Sequence, residues 1–249
     1  MTTAGAPETI WHADPHVIGY RHGPETDLVI AFSSVGHDPG RLPSPEFQAA
    51  TGRMRAMFVM DASRSWGLDA GFVPALRAGF AKACERGPVA RVLAMGLSMG
   101  GFVALRAAQI LPVDVVLAFG PQYSIAPDFG EARWAEWTLP LAARLARDES
   151  GAGFDPAHGV SPAGLTATLP DHGWTCLFHG AVDDLRHALA FPRAAGVDQV
   201  IFADQTHASL MPHLKARGVL TGLIEAALSG DRRRLLRIAA SAGGQRRKA

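Results

Sequence analysis

Ser98 stands in the pentapeptide Gly96-Leu97-Ser98-Met99-Gly100, behind the apolar run Val89 to Met95 and ahead of a helix-like stretch, Gly101 to Leu111. A buried strand, a Gly-x-Ser-x-Gly turn and a helix make a nucleophile elbow. The glycines let strand and helix approach closely, and the turn pushes the serine into open space. From there its hydroxyl can attack a carbonyl carbon, provided a base takes the proton. A serine hydroxyl is a poor nucleophile near neutral pH, so it needs an imidazole and a carboxylate to orient that imidazole. Both follow later in the chain, each just past an apolar strand. Asp183 and Asp184 come after Thr175 to His179, and His207 comes after Gln199 to Ala203. Of the ten histidines, His12, His16, His22 and His37 precede the elbow. His158 and His172 lie in an irregular segment, His179 at a strand end, and His187 and His213 within helical patterns. That leaves His207 as the candidate base.

The elements that must carry these residues alternate along the chain. Candidate strands are Val17 to Tyr20, Asp27 to Phe32, Ala56 to Met60, the run before the elbow, Val113 to Phe119, Thr175 to His179 and Gln199 to Ala203. Between them, Phe72, Leu76, Phe80 and Cys84 recur on one helical face. Further helices are expected at about 101–111, 184–194 and 209–229. Near-continuous apolar strands alternating with helices imply a mostly parallel, doubly wound sheet covered on both faces, a three-layer α/β sandwich. Ligands then bind at the carboxyl ends of the strands, where Ser98, Asp183 and His207 fall. No repeat or linker divides residues 1–249, which read as one domain. Residues 122–174 read as a lid-like insertion, with Trp134 and Trp137 on one helix face. Residues 230–249 read as a basic, solvated C-terminal tail, with seven Lys and Arg against Asp231.

Three motifs in this order resemble the α/β-hydrolase superfamily: Gly96 to Gly101, His179-Gly180-Ala181-Val182-Asp183, and the late His207. The resemblance spans roughly Asp27 to Leu228. It implies a serine hydrolase with a catalytic triad. The acid turn is similar to the family's His-Gly-x-x-Asp pattern, which favours Asp183 as the triad acid. Asp184 is the alternative, or a helix N-cap. An oxyanion hole needs two backbone N–H donors. The family's arrangement implies Met99, after the nucleophile, and a residue of the loop after Phe32. There this chain has Ser33-Ser34 in place of the common His-Gly. Ser34 is the expected donor and Ser33 the runner-up.

Other residues at the same sheet edge are candidates for binding substrate. Arg64 beside Trp66 can clamp a carboxylate or phosphate, or order its own loop. Gln122 and Tyr123 follow a strand and can line a pocket as hydrogen-bonding groups or serve as turn residues. No cofactor or metal is expected. The Gly-x-Gly-x-x-Gly fingerprint and the P-loop lysine are missing, and no metal-ligand spacing is present. The net charge of +1 gives no global field for nucleic acid or membrane. No run of 18 apolar residues suggests a membrane span. Two distant cysteines, Cys84 and Cys176, and an N-terminus without a basic or apolar signal region lead to the expectation of a cytoplasmic chain. The expected partner is a small-molecule acyl substrate, and oligomeric state is left open. The expected reaction is ester or thioester cleavage through an acyl-enzyme on Ser98. An acyltransferase using the same triad and a non-catalytic binding protein on the same fold are the alternatives.

Overall fold

The computed structural model describes residues 5–36, 38, 40–125, 129, 135–147, 167 and 173–247. In chain order the elements are β1 (Glu8–Ala13), β2 (His16–Arg21), β3 (Leu28–Phe32), α1 (Gln48–Thr51), β4 (Ala56–Asp61), α2 (Phe72–Glu85), β5 (Val92–Leu97), α3 (Met99–Ala107), β6 (Val115–Phe119), α4 (Ala135–Arg147), β7 (Trp174–Gly180), α5 (Leu185–Ala190), β8 (Val197–Phe202), α6 (His207–Ala216), α7 (Leu220–Leu228), α8 (Arg232–Ser241) and β9 (Gln245–Arg246). The strands form one sheet in the order β1-β2-β4-β3-β5-β6-β7-β8-β9. From β4 to β8 every neighbour is parallel, while β1–β2, β2–β4 and β8–β9 are antiparallel.

Period-two alternation sorts the strand residues between two cores. Leu28, Ile30, Phe32, Ala94, Val116, Ala118 and Leu177 face α2 and α3, packing with Phe72, Leu76, Phe102 and Leu105. Val29, Ala31, Leu93, Met95, Leu117, Phe119, Cys176 and Phe178 face the other way, against Leu210, Leu214, Leu223, Ile224 and Leu235 of α6, α7 and α8. Both faces being covered explains why β3 and β6 are buried along their whole length. The chain leaves β3 toward β4 on one side and later places β5 on the other. The carboxyl ends of β3 and β5 therefore meet at a switch point, the usual position of a ligand crevice.

Three expectations change at the edges. Val17 to Tyr20 belongs to the second strand, since β1 precedes it. Only Ile10 of β1 is buried, so that edge strand carries no apolar run. The helix expected over 209–229 is two helices, broken at Gly218, whose φ of 66° ends the first. The basic segment is no solvated tail through residue 247. Leu235 and Ala239 of α8 are buried in the core, and β9 pairs with β8. Two of its arginines, Arg232 and Arg246, pair with the buried Asp198 carboxylate, which also accepts from Trp174 Nε1 at 3.1 Å. Burial pushes the Asp198 carboxyl up. Hydrogen bonds from Arg232 and Trp174, with the two guanidinium charges, hold it below the usual carboxylate value. Of the proposed lid, α4 and residues 122–125, 129, 167, 173 and 174 are described. Residues 126–128, 130–134 (with Trp134), 148–166 and 168–172 lie outside the described residues. Among the described residues no helix is long and apolar enough to cross a membrane.

At the end of β7, fully buried His179 is within 3.1 Å of the Pro121 carbonyl, to which its Nε2–H donates. Burial lowers its pKa to about 4, with His207 adding to the effect and Asp184 and the Pro121 bond opposing it. The folded value lies below the unfolded one of about 6.5, so the unfolded chain binds more protons between those limits and stability falls as pH drops through them. The loss expected by pH 4.5 is about 2 kcal/mol. Urea unfolding at pH 7 and 4.5 should show it in the wild type, and His179→Gln, which does not titrate, should lose most of that difference. An equal pH difference in both proteins would refute the assignment.

Candidate active site

The elbow forms because its glycines admit contacts that no side chain allows. A Cβ on Gly96 would lie 2.2 Å from the Gly100 carbonyl, and one on Gly100 would lie 2.3 Å from the Phe32 carbonyl. The start of α3 is thereby pressed against the end of β3. Ser98 caps α3 with φ 56° and ψ −120°, a backbone state that costs about 1–3 kcal/mol in a non-glycine residue. Its N–H donates to Phe119 O at 2.8 Å, which holds the strained residue against the end of β6. Met99 opens the helix, so its N–H has no intrahelical acceptor.

The next turn, Phe119 to Gln122, gathers the other groups. Gly120 has φ 54°, and a Cβ there would lie 3.1 Å from both Nδ1 and Cε1 of His207 and 3.4 Å from Asp184 Oδ2. The missing side chain is the seat of the imidazole. His207 is the first residue of α6, where Thr206 and Ser209 form a reciprocal capping box. The helix start therefore fixes the backbone that carries the imidazole.

The carboxylate on that imidazole is Asp184, where the family pattern led to Asp183. His207 Nδ1 donates to Asp184 Oδ2 at 2.6 Å, while Asp183 Oδ1 accepts the His207 backbone N–H at 2.6 Å. The turn geometry explains the one-residue shift. Asp184 N–H closes onto Gly180 O at 3.2 Å, a full helical turn. That brings residue 184 back over the strand end and swings residue 183 aside. Asp184 also occupies the N-cap position of α5, yet its side chain caps nothing there. A carboxylate only accepts, so the bond fixes the proton on Nδ1 and leaves Nε2 as the basic nitrogen.

The β3 loop differs from the expectation as well. Ser34 N–H donates to Glu46 Oε1 at 3.1 Å, and the Ser34 hydroxyl bonds the same oxygen. Ser33 N–H donates to Val59 O at 3.0 Å, and its hydroxyl to Ser44 O. Glu46 had no signal in the sequence, since it sits twelve residues on in a proline-rich loop.

Arg64 is not poised as a substrate clamp. Its guanidinium is buried and donates to the carbonyls of Val35, Asp38, Arg41 and Ala62. It orders the loops around β3 and β4. Trp66 is fully buried, and its Nε1–H donates to Gln122 Oε1 at 3.2 Å. Gln122 Nε2 in turn donates to Ser98 Oγ at 2.9 Å. Tyr123 packs its ring against Phe129 and Phe191, and its N–H donates to His187 Nδ1 at 3.0 Å.

Among the described residues, one group of His and Asp side chains lies within metal-ligating reach: His16, Asp61 and Asp69. Asp61 accepts from the N–H groups of Ser63 and Ser65 and from the Ser63 hydroxyl, the one Ser65 hydroxyl proton lies between Asp61 and Asp69, and Asp69 also bonds Gly71 N–H and His16. These bonds pin the loop that delivers Trp66.

No family model matches the chain, and comparison with curated proteins finds no match. Solved structures do match. An acylaminoacyl peptidase from Pyrococcus horikoshii superposes with a TM-score of 0.62 at 11% identity, over 91% of this chain and 42% of that one. An esterase from Pyrobaculum calidifontis gives 0.53 at 14%, over 87% and 80%. The capsule O-acetyltransferase of Neisseria meningitidis serogroup A gives 0.50 at 12%, over 83% and 90%. With the strand order and the flanking helices, this likeness shows that the chain has the α/β-hydrolase fold.

Proposed function

We propose that the protein is a serine hydrolase that cleaves an ester or thioester through an acyl-enzyme on Ser98. The observation that carries this reading is the His207–Asp184 pair, set beside the same turn that holds the strained Ser98. Ser98 Oγ attacks the acyl carbonyl as His207 Nε2 takes its proton. Asp184 holds the imidazole in the Nδ1–H tautomer and stabilises the imidazolium. The helix-terminal N–H of Met99 faces the negative charge that develops on the carbonyl oxygen. Collapse expels the leaving group, which takes the proton from His207, and water then repeats the sequence on the acyl-enzyme. The esterase and peptidase neighbours support acyl chemistry on this fold. The acetyltransferase neighbour favours one second reading, in which an alcohol or amine replaces water in the second half-reaction.

A fluorophosphonate probe should label the wild-type protein and fail on Ser98→Ala. Labelling that persists in folded Ser98→Ala would assign the nucleophile elsewhere, and folded wild-type protein that resists the probe would favour a binding role.

The two aspartates separate in the same assay family. Asp184→Asn removes the acceptor that sets the tautomer, and kcat on a p-nitrophenyl ester should fall on the order of 10³–10⁴-fold. Asp183→Asn keeps an oxygen for the His207 N–H, so a loss of less than about tenfold is expected. The reverse ranking would return the triad role to Asp183.

A further inference from the structure

A tetrahedral oxyanion needs a second donor besides Met99 N–H, and the two β3-loop donors the sequence led to are engaged at rest. The N–H groups of Ser33 and Ser34 are engaged by Val59 O and by the Glu46 carboxylate. On the other side of Ser98 stands the Gln122 amide, buried and 2.9 Å from Oγ. Its orientation follows from chemistry. The Trp66 indole can only donate, so the oxygen of the amide must face Trp66 and its nitrogen must face Ser98.

That arrangement is held at a cost in backbone strain. Arg64 and Trp66 have φ of 48° and 53°, two of the four non-glycine residues with positive φ among the described residues; Ser98 is another. The intervening loop is pinned by Asp61, by Ser65 and by the Arg64 guanidinium on four carbonyls. Strain of this kind persists only where the surroundings over-determine it, and it concentrates at working sites. The strained loop has one product at the site, an indole N–H aimed at the oxygen of Gln122.

We propose that Gln122 is a catalytic residue whose side-chain amide is the second oxyanion donor, an inference that rests on the serine-hydrolase reading above. The oxyanion is separated from Oγ by one carbon, so a donor in hydrogen-bond contact with Oγ is already within reach of it. The amide carries two N–H bonds and can serve both oxygens. As the Oγ–C bond forms, the serine proton passes to His207 and the carbonyl π pair becomes a lone pair on oxygen. Gln122 donates hydrogen bonds to that charge and transfers no proton. When the pair returns, the bond to the leaving group breaks and the leaving group takes the proton from His207. Because Trp66 fixes the amide beforehand, the donor needs no reorganisation during the step. Trp66 is a positioning residue.

The test uses the full chain with a p-nitrophenyl ester as substrate and phenyl trifluoromethyl ketone, which adds to the serine as an oxyanion-bearing hemiketal, as inhibitor. Gln122→Leu removes both donors, and Gln122→Glu keeps the shape, so one remains informative if the other fails to fold. Each should lower kcat by roughly 10²–10³-fold with KM changed less than threefold. Inhibitor affinity should fall in parallel with kcat/KM. Trp66→Phe should lose roughly tenfold in kcat. Reduced kcat with unchanged inhibitor affinity would overturn the proposal, as the amide would then only orient Oγ. Unchanged kcat in folded Gln122 variants, with Glu46→Ala raising kcat, would overturn it in favour of Ser34 N–H. Turnover that survives Ser98→Ala would instead overturn Ser98 as the nucleophile, the reading on which the proposal rests.

Discussion

Four residues at the end of β6, Phe119 to Gln122, hold the site together. Phe119 O takes the Ser98 N–H, and Gly120 N–H ties the turn to Phe178 O at 2.6 Å. Gly120 has no side chain, which is the condition for seating His207, and its positive φ excludes most replacements. Pro121 O accepts from His179, and Gln122 reaches Ser98 Oγ. Ser98, His207 and the Gln122 amide come from the start of α3, the start of α6 and the turn itself, which contacts both Ser98 and His207. Gly101 confirms the closeness: a Cβ there would lie 3.3 Å from both Phe119 O and Pro121 Cβ. Any displacement of the turn therefore moves the nucleophile and its partners together.

A cluster of polar groups at the edge of two apolar cores is stable only if each group is paired, because a buried unpaired donor or acceptor costs about 1–3 kcal/mol. The described residues meet that demand largely with short loops after the strands. Asp61 saturates its oxygens on two serines, Arg64 its nitrogens on carbonyls, and Trp66 its single N–H on Gln122. His179 stays neutral because its burial outweighs the pull of Asp184. The neutral ring donates its Nε2–H to Pro121 O and places no positive charge of its own beside His207. The packing of the two cores offsets the backbone strain at Arg64, Trp66 and Ser98, each a small cost against the burial of several large side chains.

The parallel strands were legible in the chain because burial on both faces leaves an unbroken apolar run, as in Leu28 to Phe32 and Val115 to Phe119. The edge strands were not. β1 buries one residue and β9 is two residues long, so neither leaves a period. Ser98 and His207 were legible for a local reason: a glycine-framed turn, and a histidine between the last long strand and a helix. The carboxylate that meets the His207 ring was not, because Asp183 and Asp184 differ only in how the chain turns after Gly180, and a helical i to i+4 closure cannot be read from two adjacent aspartates. Gln122 was visible as a polar residue past a strand. Its orientation depends on Trp66, 56 residues earlier, and that pairing exists only once β4 and β6 stand on either side of β3 and β5.

The cations show the same limit from the other direction. Read as composition, Arg64 invites an anionic substrate, and the arginines after residue 230 suggest a solvated basic tail. In the fold Arg64 meets carbonyl oxygens, Arg232 and Arg246 meet Asp198, Arg234 meets Glu225, and Arg247 meets Gln199 and the carbonyls of Ala188 and Phe191. A guanidinium has five donors in a fixed fork, which suits it to fasten several strand and helix ends at once. Charge spent in this way gives little attraction to an outside anion, since the carboxylate and carbonyl dipoles around it already answer its field. The selectivity of the site must then come from groups nearer Ser98, and among these Gln122 is the one whose direction the fold dictates. Its amide is neutral, so in the role proposed for it Gln122 would favour a charge that appears during reaction over one the substrate brings with it. That preference is what acyl transfer requires.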